Sequence, residues 1–208
     1  MKNLTPFYDT FYYAMSSIWP MLLLFVVILI VIRISKVIIN KEKFIFHKDF
    51  YTLVFIIYML TLYYLLLSTE NAFAYGSNLI PFKEMTRYAI GSKGFFYNVL
   101  GNIALFIPFG FFVSYYIQAK KTHQIAIIAF ITSLTAELIQ YKIGRAFDVD
   151  DIILNVVGAL IGFITYIGIT TLKDKLPKKL QSDLFYNILA ILVLIIIILV
   201  FYFVWGAR

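Results

Sequence analysis

The chain has no cysteine, only two histidines, and a charged fraction of 14% over 208 residues. Without cysteine there is no disulfide, no thiol nucleophile and no thiolate metal site, whatever the redox compartment. His47 and His123 fall in polar connections away from the acidic cluster described below. They read as surface residues, and a Ser-His-Asp triad finds no histidine on the cluster's side. Polar surface is equally scarce: residues are 62% hydrophobic and 19% aromatic, with a mean hydropathy of +0.88, too little polarity to clothe a soluble globule. No internal repeat is persuasive. One apolar segment is visibly interrupted, "LFIPFGF" at Leu105–Phe111, whereas an inverted-repeat transporter would show matching interruptions in two halves.

What the chain does have is long apolar runs. A bilayer core takes about 20 residues per helix, and the runs predict six spans, near 17–39, 50–68, 98–118, 123–141, 151–172 and 185–205. The fold class expected is all-α, a polytopic membrane bundle of about six helices. A long polar loop, about Thr69 to Tyr97, separates the second helix from the third. The organisation divides into 1–68, an interfacial segment and two spans; 69–172, a three-helix core; and 173–208, a basic connection and a last span. The first apolar run starts too late and runs too long for a cleaved signal, so it is expected to stay as a span. The aromatic stretch before it, "LTPFYDTFYYAMSSIW", suits the membrane interface.

The net charge of +7 implies no nucleic-acid role, because basic residues at helix ends follow from the positive-inside rule and anionic lipids. Eleven of the 18 Lys and Arg residues fall in or flank the first, third and fifth connections and seven lie on the other side. The richer side is expected to be cytoplasmic, leaving both termini, the 69–97 loop and the segment "IGRAFDVDD" (Ile143–Asp151) outside.

That segment crowds one arginine and three carboxylates into nine positions. On a helix, residues three or four apart share a face. Asn98 and Asn102 are so spaced, as are Glu137 and Gln140. Asp148, Asp151, Asn155, Gly158 and Gly162 form a continuous stripe: acids at the mouth, an amide one turn deeper, then glycines. Gly158 and Gly162 are expected to let a neighbouring helix approach closely. Pro108 is expected to kink its helix, with the freed carbonyl satisfied by a neighbour and Gly110 easing the bend. Asp148 or Asp150 can cap the fifth span, but one or two acids suffice for that. Metal ranks below ion pairing, since Asp148, Asp150 and Asp151 lack calcium-loop spacing and a glycine turn. Glu137, near a helix end, needs a partner, and Arg145 is the nearest cation. Two readings stand side by side: an architectural Glu137–Arg145 ion pair, and a site in which Arg145 meets an external anion.

The order and spacing of "NLIPF" (Asn78–Phe82), "GNIALFIPFGF" (Gly101–Phe111), "ELIQ" (Glu137–Gln140) and "RAFDVDDIILNVVGALIG" (Arg145–Gly162) resemble the VanZ-like family of bacterial membrane proteins. The resemblance covers about Asn78 to Thr170. It implies an integral protein of mainly Gram-positive cell envelopes, whose founding member is linked to resistance to the glycopeptide teicoplanin; it brings no assigned reaction, catalytic residue or cofactor. The expected partners are membrane lipids and a cell-wall precursor or lipid headgroup. The binding patch is expected from Arg145, Glu137, Gln140, Asp148, Asp151, Asn155, Asn102 and Asn98, with Glu137 and Asp151 orienting Arg145. A membrane enzyme acting on a lipid-linked phosphate or peptide, with Glu137 or an aspartate as base, and a lipid-translocating protein are the alternatives.

Overall fold

The computed structural model of the protein describes residues 5–67 and 77–206. Six α-helices carry most of them: α1 (Thr5–Ile39), α2 (Phe46–Leu67), α3 (Gly101–Ile117), α4 (Thr122–Lys142), α5 (Val149–Lys175) and α6 (Asp183–Gly206). A π-helical segment, Phe95–Leu100, runs directly into α3. Five stretches are long and apolar enough to cross a bilayer: Ser16–Ile39, Phe46–Leu66, Phe95–Ile117, Thr122–Lys142 and Val149–Lys173. They match five of the expected spans to within a few residues. The sixth expected span falls on α6, whose apolar stretch is described over Asp183–Leu199. The protein is an all-α, multi-pass membrane protein. The expected interfacial side chains before Ser16 and the first part of the expected polar loop, 69–76, lie outside the described residues.

The chain forms two compact units. The first comprises Met1–Pro20 and Tyr58–Ile169, and its core is built around Leu62, Phe106, Phe109, Ile125, Ala159 and Phe163. Lipid is as apolar as leucine, so close packing rather than hydrophobicity holds such helices together. The glycines supply the close packing. A methyl group at Gly158 would overlap the Ile103 carbonyl, and one at Gly162 would overlap the Ile107 carbonyl and the Phe111 nitrogen. The expected close-contact role therefore holds for both. Gly110 does more than ease a bend: a methyl there would overlap the backbone of Ala159, so it is the α3 side of the same contact.

Pro108 cannot donate to the helix ladder. One residue on, Tyr58 is inserted: its hydroxyl donates to the Leu105 carbonyl at 2.6 Å and accepts from the Phe109 amide. The Phe109 amide and Leu105 carbonyl are i→i−4 partners in a regular helix, so a side chain from α2 bridges the disturbed turn. Tyr58 thus serves the Leu105 carbonyl, one residue on from the Ala104 carbonyl that Pro108 frees.

The second unit comprises Met21–Ile57 and Thr170–Arg208. His47 corrects the expectation of a surface residue: it is buried, and both its backbone N–H and its ring Nδ1 meet Asn187 Oδ1, at 2.9 and 3.0 Å. The Ile45 carbonyl accepts from the Lys48 and Asp49 amides at the α2 N-terminus, and Asn187 on α6 supplies the acceptor for the His47 amide. His123 is exposed, as expected.

Candidate functional site

Arg145 is placed by the way α4 ends. Gly144 takes φ +92°, a conformation open to glycine at little cost. The Gly144 amide donates to the Tyr141 carbonyl at 3.2 Å and the Arg145 amide to the Gln140 carbonyl at 3.0 Å. That pair of bonds is a Schellman motif, which reverses the chain just beyond the helix. The arginine side chain then donates from Nη1 to the Leu66 carbonyl at 2.9 Å, and Gln140 Nε2 donates to the same oxygen at 2.7 Å. Leu66 lies in the last turn of α2, where carbonyls lack helical partners and a cation suits the dipole.

The aspartates divide by role. Asp148 caps α5: its Oδ1 accepts from the Asp150 amide at 2.8 Å and also from Asn78 Nδ2 at 2.8 Å. Asn78 is the first residue of "NLIPF". Its amide donates to the Phe147 carbonyl and its carbonyl accepts from the Val149 amide, at 2.8 and 3.0 Å, forming a one-residue parallel bridge to Asp148. Asp150 clasps the rest of the loop. Its Oδ1 accepts from the Phe82 amide at 2.5 Å, and its Oδ2 from the Glu84 and Met85 amides at 2.7 and 3.0 Å. Phe82 adopts φ +67°, which turns successive amides toward one anion. Both carboxylates are thus committed to architecture, and "NLIPF" is the strap that they hold.

Deeper along α4 and α5 runs a polar column. Glu137 Oε2 accepts from the Asp148 amide at 2.9 Å. Asn102 Nδ2 on α3 donates to Asp151 Oδ1 at 2.5 Å. One turn below, Asn155 Nδ2 donates to Ser133 Oγ at 2.8 Å, while Asn155 Oδ1 is buried with no hydrogen-bond partner among the described residues. Glu137 is 3% exposed, Gln140 4% and Asn155 2%, so these groups are inside the unit rather than on its lipid face. The structure brings together Glu137, Gln140, Arg145, Asp148, Asp151, Asn155 and Asn102, joined by their mutual bonds and by neighbouring turns. It does not bring in Asn98, which is exposed and donates to the Gly94 carbonyl on its own helix at 3.0 Å. The reason is the π-helical turn: with i→i+5 bonding, a four-residue spacing no longer keeps one face.

A model of the VanZ/LLP1 family matches residues 50–172. The chain belongs to this family. It is also similar to Protein VanZ of Enterococcus faecium, with 31% identity over 150 residues, covering 70% of this chain and 84% of that protein. No solved structure matches. The strap, the Schellman turn and the polar column all lie within the VanZ-like stretch.

The electrostatics of this VanZ-like core are unbalanced. Asp151 lies in the field of Glu137, Asp148 and Asp150, with Arg145 as the opposing charge. Burial pushes the Asp148 carboxyl above its ordinary pKa, against the Asn78 and Asp150 hydrogen bonds, which favour the charged form. Among the described residues Arg145 makes no ion pair within 4.0 Å. The expected contact with Glu137 is not formed, and Glu137 and Asp151 do not orient Arg145: the Schellman turn and the Leu66 carbonyl do. Among the described residues, no three His, Asp or Glu side chains converge in a set able to hold a metal ion. Sequence reasoning also left Asn78 and Ser133 out of the constellation. Ser133 had a signal, since it lies four residues before Glu137 on the same helix face; Asn78 had none beyond its motif.

Proposed function

We propose that this VanZ-like protein lies in the bacterial cytoplasmic membrane with its termini and polar patch on the outer face. There it binds the headgroup of a lipid or cell-wall precursor and lowers susceptibility to teicoplanin-type glycopeptides. The observation that carries this reading is Arg145. It is half-buried and donates through Nη1, and among the described residues it has no carboxylate partner within 4.0 Å, so the rest of its fork can serve a phosphate or carboxylate. Capping α2 occupies a single N–H and leaves that fork unused. The bias of basic residues toward the opposite connections supports the outward orientation, and similarity to Protein VanZ supports the resistance role. The enzyme alternative needs a nucleophile or metal beside the acids; the hydroxyl nearest them in the column, Ser133, is fully buried and serves as acceptor for Asn155.

The test uses the absence of cysteine. Single replacements of Lys93, Arg145, Lys121 and Lys178 are exposed to an impermeant maleimide on intact cells. Positions 93 and 145 label and positions 121 and 178 do not. In a teicoplanin-susceptible host, Arg145→Gln made to the same level as the parent gives no protection. Labelling at 121 and 178 instead, or full protection by Arg145→Gln, overturns the reading.

A further inference from the structure

The same patch carries more acceptors than donors. Asp148 and Asp150 are consumed by Asn78 and by backbone amides. Glu137 and Asp151 are not: each has one oxygen in a hydrogen bond, to the Asp148 amide and to Asn102, and neither meets a cation within 4.0 Å among the described residues. Carboxylates at membrane depth without a counter-charge are expensive, and ordinarily face a partner or a cavity. A second, independent observation lies one turn deeper. Asn155 sits four residues after Asp151, and its hydrogen-bond partner Ser133 four residues before Glu137, so this pair floors the two acids. Asn155 is 2% exposed and its Oδ1 has no donor among the described residues, although buried amide oxygens are normally satisfied. Arg145 is the opposing charge in this region, but among the described residues no donor-rich cation makes an ion pair with either acid.

We propose that the Glu137–Asp151 pair, floored by Asn155, receives a primary ammonium group. The headgroup taken here then carries an ammonium beside the anionic group engaged by Arg145. A primary ammonium brings three N–H donors and one positive charge, which matches two carboxylates and an amide oxygen better than a quaternary ammonium without N–H. This rests on the reading of Arg145 as an anion anchor and specifies the ligand further. A phospholipid headgroup and a soluble zwitterion share the chemistry.

The experiment is native mass spectrometry of the full chain in detergent with phosphatidylethanolamine, phosphatidylcholine or phosphatidylglycerol, each carrying the same acyl chains. The ethanolamine lipid binds about tenfold more tightly than the other two, a difference of about 1.4 kcal/mol. Asp151→Asn and Glu137→Gln keep the acceptors used by Asn102 and the Asp148 amide, and erase the preference. Arg145→Gln weakens all three lipids alike. Competition by free phosphoethanolamine as strong as that of the intact lipid also supports the ammonium site and assigns it a soluble source. Equal binding of the three lipids that still depends on Arg145 overturns the ammonium site and leaves the anion anchor standing. Lipid binding indifferent to Arg145→Gln removes the anchor, and the ammonium site with it.

Discussion

Replacing Asp150 by alanine removes the clasp on the 78–87 strap, and the cost follows from three bonds. The carboxylate is 1% exposed and accepts from the amides of Phe82, Glu84 and Met85. Hydrogen bonds to a charged group contribute about 1.5–3 kcal/mol each, which sets an upper limit near 5–9 kcal/mol. Two effects reduce it. Phe82 is 57% exposed, so once released the strap's amides reach water and recover much of their bonding. Its left-handed backbone relaxes at the same time, returning about 1–2 kcal/mol. The expected loss is therefore about 2–4 kcal/mol, in the range for breaking a buried network. Thermal unfolding of purified protein in a fixed detergent reads the stability, and the rate of trypsin cleavage after Lys83 or Arg87 reads the release of the strap. Asp150→Asn rescues only in part, because its oxygen can keep the Glu84 and Met85 amides while its NH2 group is left against the Phe82 donor. A stability within about 0.5 kcal/mol of the parent, the scatter of a neutral surface change, together with unchanged cleavage, would refute the clasp.

Gly158→Ala is expected to lower stability by about 1–3 kcal/mol, because the methyl overlaps the Ile103 carbonyl. Gly168→Ala, with nothing within 4 Å, is the silent control, and equal thermal unfolding of the two variants would remove the α3–α5 contact from the account. Asp148 gives a pH signature: its carboxyl is raised by burial in the folded state, so the folded chain holds its proton more tightly than the unfolded chain, where the pKa is about 4. Its contribution is fully present below that value and is lost as pH rises through the higher folded value. Asp148→Asn, whose single oxygen can still serve Asn78 and the Asp150 amide, should match the parent at low pH and exceed it at neutral pH. Parallel pH profiles for the two proteins would contradict this.

The spans were legible because hydropathy over about 20 residues is a local property of the sequence. So were the glycine contact and the shared faces of Glu137 with Gln140 and of Asp151 with Asn155, which follow from helical periodicity. Three features were not. The strap depends on backbone amides of Phe82, Glu84 and Met85, which carry no side-chain signal, meeting an aspartate 65 to 68 residues away. Asn98 left the patch because a π turn shifted its face, and nothing in "FFYNVL" announces such a turn. Arg145 went to a carbonyl instead of Glu137: "IGR" contained the glycine that fixes the reversal, but the reversal's target, Leu66, lies 79 residues away. In each case the missing partner was main chain.

The central claim is that Arg145 serves an external anion and is not half of an internal ion pair, and a double-variant cycle on Arg145 and Glu137 tests it most directly. With Nη1 on one carbonyl and no ion pair among the described residues to break, Arg145→Gln should cost about 1–2 kcal/mol of thermal stability. Its coupling to Glu137→Gln should stay under about 1 kcal/mol, and protection against teicoplanin should be lost in every variant lacking Arg145. A cost of about 3–5 kcal/mol for each single change, recovered in the double variant along with protection, would make the pair architectural and contradict the claim.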